Sequence, residues 1–262
     1  MVRVYETTPL ESNPSDLTLP ELTLVVLHGW GSSTALMQPI PSELGTKYRT
    51  LSIDLPGHGA SPPPPSGWGV PQHVELVRAV LSMNQVSSFA LIGHSNGGRI
   101  SLELAASNTL PTPQFLVLLA PSGIKRPRKA SYYIRYWTAK LAKMPFIWLP
   151  NPLKEWCLDW LRHSYLWSFL GSSDYKALTG VMKETFVKTV NHYLEGRLSQ
   201  VSCPVLVIWG TNDDSISKYQ MDLLVAGLPN AGLFELKDAG HFGYRAHAPA
   251  VIAAILNMAT GK

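Results

Sequence analysis

Short apolar runs recur along the chain at Leu22–Leu27, Arg49–Ile53, Phe89–Ile92, Phe115–Leu119, Val205–Trp209 and Leu233–Leu236. Each has the length of a strand, and most are bounded by Gly, Pro, Asn or Asp. Segments of helical length lie between most of them, at Gln72–Met83, Gly97–Ser107, Tyr219–Gly227 and Ala246–Met258. Strands alternating with helices predict an α/β protein: a mostly parallel central sheet with helices on both faces. In such a sheet ligands bind outside the carboxyl ends of the strands.

The alternation breaks between Gly123 and about Gln200, where helical patterns continue without a convincing strand. This predicts one core formed by residues 1–122 and 201–262, with residues 123–200 inserted as a helical cap. Five of the eight tryptophans fall in that insertion: Trp137, Trp148, Trp156, Trp160 and Trp167. Pro62–Pro65, followed by Ser66-Gly67-Trp68-Gly69, reads as a stiff loop rather than a linker. There are no internal repeats and no apolar run of membrane-spanning length, so no stable membrane span is expected.

Composition narrows the class. At 262 residues, 45% hydrophobic and 15% charged, the chain is sized for one α/β domain with a large core. The opening residues lack a basic region followed by an apolar stretch, which makes a cytoplasmic location the default expectation. Cys157 and Cys203 stand apart, outside any metal-ligand or disulfide spacing, and read as buried structural thiols; neither a metal nor a cofactor is expected. The net charge of +4 is unevenly spread, with Lys125, Arg126, Arg128, Lys129, Arg135, Lys140 and Lys143 in 19 residues that hold no acid. Interleaved aromatics there raise nucleic acid or a membrane surface as partners. No recognised nucleic-acid motif accompanies them, and a solvated helix face with inward aromatics is the preferred reading.

The chemistry centres on Gly93-His94-Ser95-Asn96-Gly97, which joins the strand-like Phe89–Ile92 to a helix-like stretch. This is a G-x-S-x-G elbow in a strand-turn-helix context, where a sharp turn lifts the serine above the sheet and glycines keep neighbouring backbone clear. Ser95 is the candidate nucleophile. A serine hydroxyl needs a base, and His241, in Gly240-His241 just past the last strand, is the histidine so placed. The base needs a carboxylate, for which Asp213, Asp214 and Asp238 are candidates. The amide of Asn96, next to the nucleophile and at a helix start, suits the oxyanion that acyl chemistry creates.

His28-Gly-Trp-Gly31, Asp54-Leu-Pro-Gly-His-Gly-Ala-Ser61, Gly93-His-Ser-Asn-Gly-Gly98, Trp209-Gly-Thr-Asn-Asp213 and Gly240-His241 together resemble the α/β-hydrolase family over nearly the whole chain. Ser172–Asn191 is similar to a cap-region signature of a bacterial group within it. The resemblance implies the α/β-hydrolase fold and a Ser95-His241-Asp213 triad, the W-G-x-x-D pattern selecting Asp213. It also implies the Trp30 amide as second oxyanion donor, the Trp30 indole lining an acyl pocket or simply packing, and Asp54 shaping the backbone beneath the site. Serine in the elbow argues against dehalogenase and epoxide hydrolase chemistry, which on this fold uses aspartate. The expected activity is acyl-enzyme hydrolysis of a carboxylic ester or related small acyl compound, apolar or aromatic. Cleavage of ring-fission diketones, acyl transfer, and a non-catalytic ligand receptor on the same scaffold stand as alternatives.

Overall fold

A computed structural model of the chain describes residues 2–9, 22–107, 109–127, 137–138, 140–141, 144–145, 150–153, 155 and 178–261. Its centre is a seven-stranded sheet of β1 (Val4–Thr7), β2 (Leu22–Leu27), β3 (Thr50–Ile53), β4 (Ser88–His94), β5 (Leu116–Leu119), β6 (Val205–Gly210) and β7 (Ala231–Leu236). The strands lie in the order β1-β3-β2-β4-β5-β6-β7, with β1 antiparallel to β3 and every other pairing parallel. The six runs read as strands are β2 to β7. The first strand escapes a hydrophobic reading because Val4-Tyr-Glu-Thr7 is an edge strand that buries little.

Among the described residues, helices with defined bounds are α1 (Ile40–Gly45), α2 (Val70–Met83), α3 (Asn96–Ala106), α4 (Gly180–Val190), α5 (Lys218–Gly227), α6 (Gly243–Ala246) and α7 (Ala248–Thr260). Alternate residues of the central strands feed two cores. Val25, Leu27, Phe89 and Leu91 pack with Val74, Val77, Ile100, Leu104 and Leu224 on one face. Leu24, Val26, Ala90 and Ile92 pack with Ile40, Leu44, Val251 and Ile255 on the other. Because β2, β4 and β5 are covered on both faces, they are buried almost continuously and mostly apolar rather than alternating. Burial of this kind stabilises the fold by roughly 25 cal/mol per Å² of apolar surface removed from water.

Between β5 and β6 no strand occurs among the described residues, and α4 is the principal element. It is tied to the core at several points. The Trp68 amide donates to Thr185 Oγ1 at 3.0 Å, Lys188 Nζ to the Gly67 carbonyl at 2.8 Å, and the buried Arg99 guanidinium to the Thr189 carbonyl. Most of the remaining segment expected as cap, with Trp148, Trp156, Trp160, Trp167, Cys157 and much of the basic cluster, lies outside the described residues. Trp137 is described and is exposed, with Lys140 Nζ 5.0 Å from its ring centroid, which departs from the inward orientation expected of the aromatics there. Cys203 is half-buried rather than fully so, and burial pushes its thiol up to about 11.

Candidate active site

The loops at the carboxyl ends of β2, β4, β6 and β7 converge. At the end of β4, Ser95 has φ +49° and ψ −107°, a conformation that costs a non-glycine residue about 1–3 kcal/mol and persists only when its surroundings enforce it. They do so by hydrogen bonds. The Ser95 amide donates to the Leu119 carbonyl at 2.9 Å, and the Ser95 carbonyl accepts from Ser122 and Arg99 at 3.0 and 3.1 Å. Close approach supplies the rest: a Cβ on Gly97 would stand 2.2 Å from the Leu27 carbonyl oxygen, so α3 meets β2 only through glycine.

At the end of β7, His241 Nδ1 lies 2.8 Å from Asp213 Oδ2. The Asp213 side chain is fully buried, and its Oδ1 accepts the amides of Ser215 and Ile216 at 2.8 and 2.9 Å. Burial alone would raise the pKa of this carboxyl. The hydrogen bond from His241, the two amides and the imidazole charge outweigh it and hold the group below the ordinary carboxylate range. An ionised Asp213 accepts the Nδ1 proton, which leaves Nε2 as the free basic nitrogen. Asp214 is exposed and its carboxylate faces the Ser215 hydroxyl, while Asp238 occupies a left-handed turn position and is exposed. Of the three carboxylates weighed from the sequence, Asp213 is the one bonded to His241.

Ser95 and His241 share no hydrogen bond among the described residues. They are linked instead through His94, whose Nε2–H donates to the His241 carbonyl at 3.2 Å and whose ring centroid is 4.9 Å from that of His241. Burial, reinforced by the neighbouring His241, pushes His94 down to about 3, so the ring stays neutral beside His241. Its Nδ1 is buried without a partner. The elbow motif marks this residue's position in the sequence but gives no sign of its bond across to the His241 loop.

The loop after β2 lies against the elbow, for a Cβ on Gly29 would come within 3.2 Å of Ser95 Cβ. His28 shapes this loop: its Nδ1–H donates to the Gly29 carbonyl at 2.7 Å while its Nε2 accepts the Leu55 amide at 2.9 Å. Burial holds His28 neutral, pushing it down to about 4. The amides of Trp30 and Asn96 have no protein acceptor among the described residues. The Trp30 ring sits edge-on to His58 and Phe186, at centroid distances of 4.8 and 5.0 Å, which brings α4 over this side of the site. Beneath it, Asp54 accepts the amides of Thr34 and Ala60 at 2.7 and 2.9 Å, the backbone-shaping part expected of it.

Among the described residues no cluster of three or more His, Cys, Asp or Glu is arranged to hold a metal, and no helix is long and apolar enough to cross a membrane. An open depression of about 850 Å³, lined in part by Leu22, Ser88, Phe115 and Pro204, lies at the amino ends of the strands, opposite Ser95.

Comparison with known proteins agrees with this architecture. The chain is 30% identical over 235 residues to the uncharacterized hydrolase YugF of Bacillus subtilis, covering 84% of this chain and 83% of the relative. It is 26% identical over 240 residues to a 2-succinyl-6-hydroxy-2,4-cyclohexadiene-1-carboxylate synthase of Salmonella arizonae, covering 87% and 90%. Among solved structures, the enol-lactonase of Burkholderia xenovorans superposes with a TM-score of 0.70 at 18% identity, covering 99% of this chain and 96% of that one. A parallel sheet ending in a serine elbow, with residues 24–255 matching the family's sequence model, identifies the chain as a member of the alpha/beta hydrolase family.

Proposed function

We propose that this protein is a serine hydrolase that cleaves a carboxylic ester, or a related small acyl compound, through an acyl-enzyme intermediate, with residues 123–200 forming a cap over the site. The observation that carries this reading is the 2.8 Å bond between His241 Nδ1 and a fully buried, ionised Asp213, beside a serine held at φ +49°. That combination suits a base whose free nitrogen takes a proton from a hydroxyl.

Ser95 Oγ attacks the acyl carbon while His241 Nε2 takes its proton, and Asp213 stabilises the resulting imidazolium. Oxyanion charge is received by the amides of Trp30 and Asn96, each worth about 3–4 kcal/mol if it acts as such donors do elsewhere. Collapse expels the alcohol, protonated by His241. Water, activated by the same imidazole, then attacks the acyl-enzyme, and the second collapse frees the acid and restores Ser95. Trp30 and Phe186 offer an apolar wall beside the oxyanion amides, in keeping with an apolar or aromatic acyl group.

The test is a panel of p-nitrophenyl esters of increasing acyl length run beside a ring-fission diketone. The expected result is ester turnover with a burst of nitrophenol equal to the enzyme concentration. Diketone cleavage with kcat/KM far above that of every ester would replace this reading by carbon-carbon hydrolysis.

A further inference from the structure

The residue after the candidate base is Phe242, at the foot of α6. Its ring centroid is 5.3 Å from the His241 ring, in an edge-on arrangement, and 5.2 Å from the His94 ring. Yet Phe242 is 52% exposed, whereas Tyr244, two residues on and packed against the same His94 ring, is buried. One side of the Phe242 ring is therefore fixed against the two histidines and the other is open to solvent at the carboxyl edge of the sheet. An aromatic ring left half-exposed in a loop that carries the base is a contact surface waiting for an apolar partner.

The direction of proton transfer says which part of a substrate meets it. His241 Nδ1 is committed to Asp213, so the leaving oxygen must come within hydrogen-bond reach of Nε2, at the opposite end of the ring. Nε2 belongs to the ring whose centroid lies 5.3 Å from that of Phe242, so an exposed aromatic ring stands beside the imidazole that hands the alcohol its proton. The acyl group instead extends from the carbonyl whose oxygen faces the Trp30 and Asn96 amides, where Trp30, His58 and Phe186 are the aromatic neighbours.

We infer that Phe242 forms the alcohol-side subsite and selects esters whose leaving group is a flat, apolar or aromatic alcohol. This rests on the serine-hydrolase reading above and adds the class of leaving group to it. The ring binds the departing part of the substrate alone, so its influence ends when the acyl-enzyme forms.

Benzyl acetate and ethyl acetate test this, since they share an acyl group and one acyl-enzyme, and their alcohols are of similar basicity. Their kcat/KM ratio therefore isolates the alcohol. With Phe242→Ala the benzyl-to-ethyl ratio falls about tenfold relative to the native enzyme, the size of a lost aromatic pair together with its buried area. Phe242→Leu, which keeps apolar bulk on a folded loop, gives an intermediate ratio. An unchanged ratio in both variants, or equal losses with the two esters, overturns the inference and leaves Phe242 as support for His241. A native enzyme that turns over neither ester and takes no label at Ser95 overturns the underlying hydrolase reading, and this inference with it.

Discussion

Replacing Asp213 by asparagine puts an NH2 group where all three neighbours of the carboxylate are donors: His241 Nδ1, the Ser215 amide and the Ile216 amide. The new side chain has two ways to sit. With its NH2 toward the two backbone amides it forfeits two buried hydrogen bonds and opposes donor to donor, at about 1–3 kcal/mol for each amide left unsatisfied. With its oxygen toward those amides both bonds survive, and the NH2 faces His241. The second arrangement is cheaper by several kcal/mol, so the imidazole must accept at Nδ1 and carry its proton on Nε2. That tautomer has no lone pair with which to take the Ser95 proton. The expected loss is on the order of 10⁴ in the acylation rate, the effect of a wrong tautomer in serine-protease triads, equivalent to about 5.5 kcal/mol of barrier. Stopped-flow acylation by p-nitrophenyl acetate measures it, with melting curves to show that the variant is folded. The same substitution removes a pH-dependent part of stability. Because the folded carboxyl titrates below its ordinary value, its contribution is complete above about pH 4 and is lost as the pH falls through the folded pKa. The stability difference between native and variant proteins should therefore shrink in acid. A folded Asp213→Asn enzyme within about tenfold of native refutes the reasoning, as does a collapse in Asp214→Asn.

Other substitutions separate structure from chemistry. Glu103, buried on α3, accepts from His192 Nε2 at 3.0 Å and from Arg197; Glu103→Gln should cost about 1–3 kcal/mol in urea unfolding while acylation per folded molecule stays near native. His94→Phe keeps a ring in the nest but deletes the bond to the His241 carbonyl, and removes a buried nitrogen that has no partner. It should slow acylation by about tenfold with little change in melting temperature, and a drop in both together would make His94 a purely structural residue. Gly97→Ala, which drives a methyl into the Leu27 carbonyl, should destabilise by about 1–3 kcal/mol or more and release the strain at Ser95; native activity and stability in that variant would contradict the elbow geometry.

What could be read in the sequence follows burial and local chemistry. Strands β2 to β6 are visible as apolar runs because the sheet's centre is covered on both faces, and the edge strand β7 through Leu233, Phe234 and Leu236, whereas β1 is half polar and identified by its pairing with Leu51 and Ser52, a long-range fact. Boundaries shift where caps decide them: α2 begins at Val70, before Gln72, because Pro71 fits a first turn and Gln72 reaches back to the Gly69 amide at 2.8 Å. The elbow at Ser95 and the position of His241 are legible because both are set by local motifs at strand ends. Asp213 and Asp214 are neighbours in one loop, and composition alone leaves them equivalent. They part company in three dimensions, where the Ser215 and Ile216 amides wrap one carboxylate and water meets the other. The bond from His94 to the His241 loop spans 147 residues and has no local signature. The same holds for the contact of Phe186 with Trp30, which depends on how α4 returns over the sheet.

The most direct test of the account is covalent. Native protein treated with a fluorophosphonate probe should gain the mass of one phosphonyl group, peptide mapping should place that group on Ser95, and Ser95→Ala should gain nothing while melting as the native protein does. Labelling at another residue, or ester turnover at the native rate by folded Ser95→Ala, would contradict the claim that Ser95 is the nucleophile.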